Sequence, residues 1–199
     1  FKSASQDVLF VLSGSGLVSG AALQILKSLQ GRNINILYIK PDLKFLGQIN
    51  VYQERLVRNV LQEYTRSGMF DRMFLIDNTK VEEVLGEVPI VGYYNKLNEL
   101  IVSTIHMINV YNHQEPIHAT PFDTGETTRI STCISTLGIL NVDEGKEKLF
   151  FSLDNIREKS YYYAINSKVL ETDGKLLRRL TDNINKNVGK DARAGFEVH

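Results

Sequence analysis

Ser13-Gly14-Ser15-Gly16-Leu17-Val18-Ser19-Gly20 is the stretch of this chain best suited to holding a ligand. Glycines at 14, 16 and 20 let the backbone come close to a bound group. A Ser/Gly turn opening a helix also offers N–H groups to an anion at the positive end of the helix dipole. The chemistry this implies is phosphate binding. Gly/Ser turns are equally ordinary punctuation after a strand, so both readings stand. The stretch is not a P-loop, because no Lys-Ser/Thr follows, and not G-x-G-x-x-G, because Ser19 occupies the third glycine position.

The surrounding pattern is that of a strand, a turn, a helix and a second strand. Val8 to Leu12 is a continuous apolar run, as a parallel strand buried on both faces requires. Leu17, Ala21, Ile25 and Leu29 give the next segment one apolar face, and Gly31 ends it. Ile34–Ile39 is the second strand, closed by Lys40-Pro41-Asp42. A helix then follows with Tyr52, Leu56, Val60 and Tyr64 on one face and Val57 and Leu61 beside it, stopped at Ser67-Gly68. Met73–Ile76 is a third strand, ending in Asp77-Asn78. Ser13, Lys40 and Asn78 thus all fall at the carboxyl ends of parallel strands, where open α/β sheets bind ligands.

Beyond Asn78, residues 79–86 read as a short helix or turn, and Pro89–Gly92 as a linker. Tyr93 to Val110 is a long apolar helix on Tyr94, Leu97, Leu100, Ile101, Thr104, Ile105 and Ile108, expected to lie between two layers. Asn95, Asn98 and Glu99 are polar near its start, a composition that also suits simple solvation of the first turns. Asn112 to Gly125 is rich in breakers, and 127–137 reads as a weak, Thr/Ser-rich helix. A second α+β region follows, with strands at 149–153 and 161–165. A helix over 175–187 uses Leu176, Leu177, Leu180 and Ile184, with Asp173 as its N-cap, and a strand begins at Gly195. Tyr161-Tyr162-Tyr163 has the composition of a base-stacking platform, but strand packing accounts for it equally and no basic patch accompanies it.

At 199 residues, 43% hydrophobic and with 23 basic against 23 acidic residues, the chain has no net field to draw nucleic acid or an anionic membrane. A single Cys133 excludes an internal disulfide framework and suits a cytoplasmic location. His113 and His118 lack a third donor at metal-ligand spacing, so no metal site is expected. Val8 to Leu26 is apolar enough to raise a membrane span, but Ser13, Ser15, Ser19 and Gln24 interrupt it. No secretory signal is visible. The chain starts at Phe1 rather than Met, and a preceding N-terminal part is expected.

The succession of motifs resembles the tubulin/FtsZ family over nearly the whole chain, in a divergent, phage- or bacterial-type form. Gly14-Ser15-Gly16-Leu17-Val18-Ser19-Gly20 followed by Ala21-Ala22 is similar to the family signature G-G-G-T-G-S/T-G with its small pair. Lys40-Pro41 with Phe45-Leu46-Gly47 is similar to its K-P and F-x-G. Asp71 through Ile76 to Asn78 resembles its strand ending in N, and Tyr94, Asn98 and Glu99 its aromatic-x-x-x-N-D helix opening. The chain departs from the pattern at Leu17 and Val18, where T-G stands in the signature. It departs again at Leu46 and Asn50, where the family has an acidic and a basic residue.

The resemblance implies a Rossmann-like, parallel-sheet GTPase fold with a long central helix and a smaller α+β domain. Its parts would be 1–92, the later portion of the nucleotide-binding domain, then helix 93–112, then 113–199, the second, activation-type domain. It implies GTP/GDP as ligand, with Mg2+ at the phosphates. Gly14, Ser15, Gly16, Ser19 and Gly20 would surround the phosphates, Asn78 would approach the ribose, and Asn98, flanked by Tyr94 and Glu99, would read guanine. It further implies head-to-tail self-assembly into cytoskeletal filaments, with hydrolysis at the subunit junction by Asp123 and Glu126, carboxylates able to orient a water. The partner is then another copy, with neither nucleic acid nor membrane involved. Asp123-Thr124-Gly125-Glu126 is also an ordinary turn composition. Two functional readings follow: a polymerising GTPase, or a degenerate relative kept as a binding or structural module. An unrelated Rossmann-like enzyme is a third, against which the long central helix argues.

Overall fold

The computed structural model describes residues 7–120, 133–190 and 192–199. Its core element is a four-stranded parallel sheet in the order β1 (Asp7–Ser13), β2 (Asn33–Lys40), β3 (Arg72–Asp77), β5 (Ile134–Thr136). Helices α1 (Leu17–Ser28) and α2 (Gln48–Arg66) make the first two crossovers, and a short 3-10 turn at Leu43–Phe45 precedes α2. Helix α3 (Asn78–Leu85) leaves β3 directly, and α4 (Tyr93–Tyr111) is the long helix expected from the sequence. This is a Rossmann-like α/β arrangement. It buries Ile34, Ile36, Leu37, Tyr38, Met73, Leu75 and Ile76 on the two central strands.

The described residues form two compact units. The first comprises 7–97 with 133–137 and 150–152. The second comprises 98–120, 138–149, 153–190 and 192–199. In the second, β8 (Glu158–Tyr163) lies parallel to β9 (Arg193–Val198), which also pairs antiparallel with β4 (His118–Thr120). A hairpin, β6 (Gly138–Asn141) with β7 (Lys146–Leu149), precedes them. Helices α5 (Ser167–Thr172) and α6 (Leu176–Asn187) follow β8, and α6 seats Leu176, Leu180 and Ile184 against Tyr163, Phe196 and Val198.

Several expected faces are corrected. Strand β1, last in the sheet order among the described residues, buries only Leu12; Leu9 and Val11 on its opposite face are exposed. On α1 the buried line is Ser19, Ala22 and Leu26, one step round from Ala21 and Ile25; the Leu17 side chain lies outside the described residues. On α2 the buried residues are Glu54, Leu61 and Thr65, whereas Tyr52 and Leu56 face solvent. Helix α4 buries Leu97 and Ile101 but exposes Tyr94, Val102 and Met107, so its buried stripe is narrow. Residues 134–136 are a strand rather than the end of a helix; the remainder of the expected 127–137 helix lies outside the described residues. Of the strand expected at 149–153 only Leu149 is in a strand, as the last residue of β7, and 150–153 lie outside any strand; the β6–β7 hairpin before them turns at Asp143-Glu144-Gly145. Gly145 is needed there, with φ +65. Asp173 does not cap α6. It ends α5, accepts from Lys175 N at 3.0 Å and pairs with Arg179.

Burial raises the hydroxyl pKa of Tyr38, Tyr161 and Tyr163. Tyr163 is pushed up to about 12 by burial alone, and carboxylates add to burial at the other two, Glu54 beside Tyr38 and Glu147 beside Tyr161. An unfolded chain releases these protons near pH 10. Stability present below that pH is therefore lost as pH rises from about 10 through the folded values. Three of the nine tyrosines should ionise only together with unfolding. Tyrosinate absorbance that reached its full amplitude while circular dichroism stayed native would contradict this.

Candidate functional site

The parallel register brings three strand ends together. Ser13 lies opposite Ile39, and Lys40 opposite Asp77. The backbone N–H of Gly14 donates to Ile39 O at 3.2 Å, so the ladder runs one residue beyond β1 before the chain turns. Gly16 is the N-cap of α1, and no side chain caps that terminus. The helix therefore opens directly off the strand end with its dipole unmatched by a cap, the arrangement in which an anion is stabilised.

The three glycines of the turn have different reasons. A Cβ at Gly16 or Gly20 would meet nothing within 4 Å, so open space lies beside both. A Cβ at Gly14 would overlap the Tyr38 hydroxyl, with Tyr38 Cζ at 2.7 Å and Glu54 Cγ at 2.9 Å. Gly14 is thus required by a side chain from β2.

That side chain belongs to a clasp beneath the turn. Tyr38 and Glu54 are both fully buried. The Tyr38 hydroxyl lies 3.1 Å from both Glu54 O and Glu54 Oε1, either of which can accept its proton, and Arg58 Nε donates to Oε1 at 2.9 Å. One residue earlier, Gln53 Nε2 donates to Ser19 Oγ at 3.1 Å, while Ser19 Oγ donates to Gly16 O. Consecutive residues of α2 therefore grip both ends of the turn. Glu54 Oε2 is buried without a hydrogen-bond partner among the described residues, an expensive arrangement for a carboxylate.

The other strand ends are also internally braced. Asp77 Oδ2 pairs with Lys40 Nζ at 2.5 Å, and its Oδ1 accepts from Thr79 N at 3.0 Å, capping α3. Lys40 Nζ stands 6.0 Å from the centre of the Phe151 ring. Asp42 Oδ1 accepts from Lys44 N at 2.9 Å and caps the 3-10 turn.

Of the residues singled out from sequence, Gly14, Ser15, Gly16, Ser19 and Gly20 lie on this turn and the first turn of α1. Ser19 is buried with its hydroxyl engaged inward. Asn78 is the first residue of α3, half-buried beside the Lys40–Asp77 pair. Tyr94 is exposed near the start of α4 and packs edge-on against Tyr93 at 5.2 Å, whose hydroxyl donates to Glu82 at 2.8 Å. Asn98 and Glu99 are exposed on the next turn of α4, in the second unit. Asp123 and Glu126 lie outside the described residues. Sequence reasoning passed over Tyr38, Gln53, Glu54 and Asp77. A lone hydroxylated aromatic in the run Ile36–Ile39 of β2, and a carboxylate directly before the highlighted Asn78, were the available signals.

No family model matches the chain, and no curated protein matches it. Solved structures do. GDP-form protofilaments of Bacillus thuringiensis serovar israelensis TubZ align at 14% identity, with a TM-score of 0.59, over 96% of this chain and 59% of that one. A GTPγS-form protofilament of the same TubZ aligns at 14% identity, TM-score 0.58, over 97% and 57%. A helical model of the TubZ-Bt two-stranded filament does so at 14% identity and TM-score 0.58, over 97% and 55%. The fold is a divergent tubulin/FtsZ-like fold. The chain spans under three fifths of the length of each of these structures.

Proposed function

We propose that this chain is part of a guanine-nucleotide-binding protein that assembles head to tail into filaments, with GTP hydrolysed where one subunit meets the next. The observation that carries this reading is the uncapped α1 terminus, opening off β1 with free space beside Gly16 and Gly20, in a fold shared with TubZ protofilaments in GDP and GTPγS forms. The phosphates would lie against Gly14, Ser15, Gly16 and Gly20, and Ser19 would hold the turn from behind. Asn78 would approach the ribose, and Tyr94, Asn98 and Glu99 the base. Mg2+ would accompany the triphosphate. Head-to-tail contacts are heterologous and do not close, so filaments follow from the geometry of the contact. On this reading 1–92 belong to the nucleotide domain and 113–199 to the second domain, joined by the central helix.

One observation favours the alternative, a tubulin-like binding module without turnover. Ser19, Asp77 and Lys40 all spend their polar groups on internal partners.

Nucleotide selectivity tests the proposal. Calorimetric titration with GTP, GDP and ATP should give guanine-selective binding. Asn98→Ala should weaken GTP by about 1–3 kcal/mol, since the polar edge of a buried base loses its partner. Equal affinity for adenine and guanine nucleotides, or indifference to Asn98, would reject the assignment.

A further inference from the structure

Helix α2 turns three large apolar side chains to solvent in one stripe, and a fourth is exposed in the turn before it. Phe45, just ahead of it, is 83% exposed, Ile49 82%, Tyr52 69% and Leu56 66%. The spacing of three and four residues keeps Ile49, Tyr52 and Leu56 in line along the helix, with Phe45 in the 3-10 turn ahead of it. Together they present on the order of 500 Å² of apolar surface, at the upper end of what a monomer leaves bare.

A second helix lies on the same side of the sheet. The chain advances β1 to β2 to β3 in one direction, and right-handed crossovers then put α1 and α2 on the same side of the sheet. The Gln53–Ser19 hydrogen bond ties them together. Helix α1 adds the exposed side chains of Val18, Leu23 and Ile25.

The charges on α1 and α2 that make no ion pair among the described residues are basic. Helix α1 contains no acidic residue, and Lys27 lies in its last turn. On α2, Glu54 is buried against Arg58 and Glu63 pairs with Arg66 in the last turn. Lys44 and Arg55 are exposed, and neither makes an ion pair among the described residues. Residues 1–66 hold eight Lys/Arg against four Asp/Glu, in a chain that is neutral as a whole.

We propose that the α1–α2 face is a docking surface for an acidic amphipathic segment of a partner protein. Large apolar anchors of that segment would seat on Phe45, Ile49, Tyr52 and Leu56, with its carboxylates flanking Lys44 and Arg55. Charge selects this occupant over two others. An antiparallel pairing with a second copy, centred between Asn50 and Val51, would match Phe45 with Leu56 and Ile49 with Tyr52. It would set Lys44 opposite Val57 and Arg55 opposite Leu46, bringing basic side chains of both copies to one seam with no unpaired carboxylate on either α2 to offset them, and like charges oppose it. Three exposed basic residues fall short of the roughly four to eight by which polybasic segments hold an anionic membrane.

Fluorescence anisotropy with two synthetic amphipathic helices tests this, each with Leu at i, i+3, i+4 and i+7, one flanked by Glu and the other by Lys. The Glu peptide should bind at least about tenfold more tightly than the Lys peptide and weaken several-fold as salt rises. Ile49→Ser with Leu56→Ser should reduce that affinity about tenfold or more, with circular dichroism unchanged because both side chains are already exposed. Arg55→Glu should shift preference toward the Lys peptide. Equal binding of the two peptides, or binding of neither, overturns the proposal. So does self-association, or sedimentation with phosphatidylserine vesicles, that disappears in the Ile49/Leu56 double variant.

Discussion

Replacing Gly14 by alanine is expected to destabilise the ligand-free chain by about 3 kcal/mol or more, a large share of the stability of an ordinary domain. The added methyl group would occupy the position of the Tyr38 hydroxyl and press on Glu54 Cγ. Neither neighbour can yield cheaply. Tyr38 is fully buried on the second strand of a four-stranded sheet, and its hydroxyl is tied to Glu54, itself held by Arg58. Displacing the ring would leave two buried polar groups without each other, and overpacking adds to that cost. Urea unfolding of the unliganded protein measures the effect directly. If Gly14 served only to let a ligand approach, the variant would lose affinity and keep its stability. A second variant separates the causes. Tyr38→Phe alone removes a buried hydrogen bond and destabilises, but combined with Gly14→Ala it also removes the nearest clashing atom. The double variant should therefore be more stable than the two single effects predict, and strict additivity would refute the clasp.

The same clasp shows where the sequence was readable. Strand β3 carries the unbroken apolar run Met73–Ile76, and β2 the run Ile36–Ile39 preceded by Ile34 and Asn35, so their position as strands was legible. The helices between them were legible as helices, but their orientation was not. On α2, apolar periodicity picks Tyr52, Leu56, Val60 and Tyr64, yet the fold buries Glu54, Leu61 and Thr65. Periodicity assumes that the apolar side faces the core. Here one buried position is a carboxylate held by Arg58 one turn along the same helix and by the Tyr38 hydroxyl from β2, and only the first of these partners leaves a trace in the sequence spacing. The displaced apolar stripe is then exposed, and its exposure is the basis for the docking surface. Strand β5 failed for a related reason. Ile134–Thr136 is three residues long and has a Ser/Thr-rich approach, and its identity as a strand comes from pairing with β3, far away in sequence. Of the candidate site, the turn and the convergence of strand ends could be read. The internal bracing of those ends by Lys40, Asp77, Tyr38 and Glu54 could not.

That bracing bears on hydrolysis. Asp123→Ala is expected to lower GTP turnover by at least about a hundredfold while changing nucleotide affinity only a few-fold. A general base at the strand ends would have to be a free carboxylate within reach of the phosphates. Asp77 divides its oxygens between Lys40 and the α3 terminus, Asp42 caps the 3-10 turn, and Glu54 is sealed beneath the glycine turn. Each of these is committed to holding structure, so on the proposed reading the base comes from outside the carboxylates described at the strand ends. The resemblance to tubulin/FtsZ proteins supplies a source, the carboxylates of Asp123 and Glu126 acting on the neighbouring subunit's nucleotide. A base contributed across a junction makes activity depend on assembly. Turnover per subunit should rise steeply with protein concentration, and Glu126→Ala should depress it as well. Mixing Asp123→Ala with a variant deficient in nucleotide binding, Asn98→Ala, should restore activity at mixed junctions, because each supplies what the other lacks. GTP hydrolysis across a dilution series of wild type, both alanine variants and the mixture decides the matter. Turnover flat with concentration and indifferent to Asp123 would place the base inside one subunit. Complete inactivity with GTP bound would identify the chain as the binding module, its glycine turn held for recognition without chemistry.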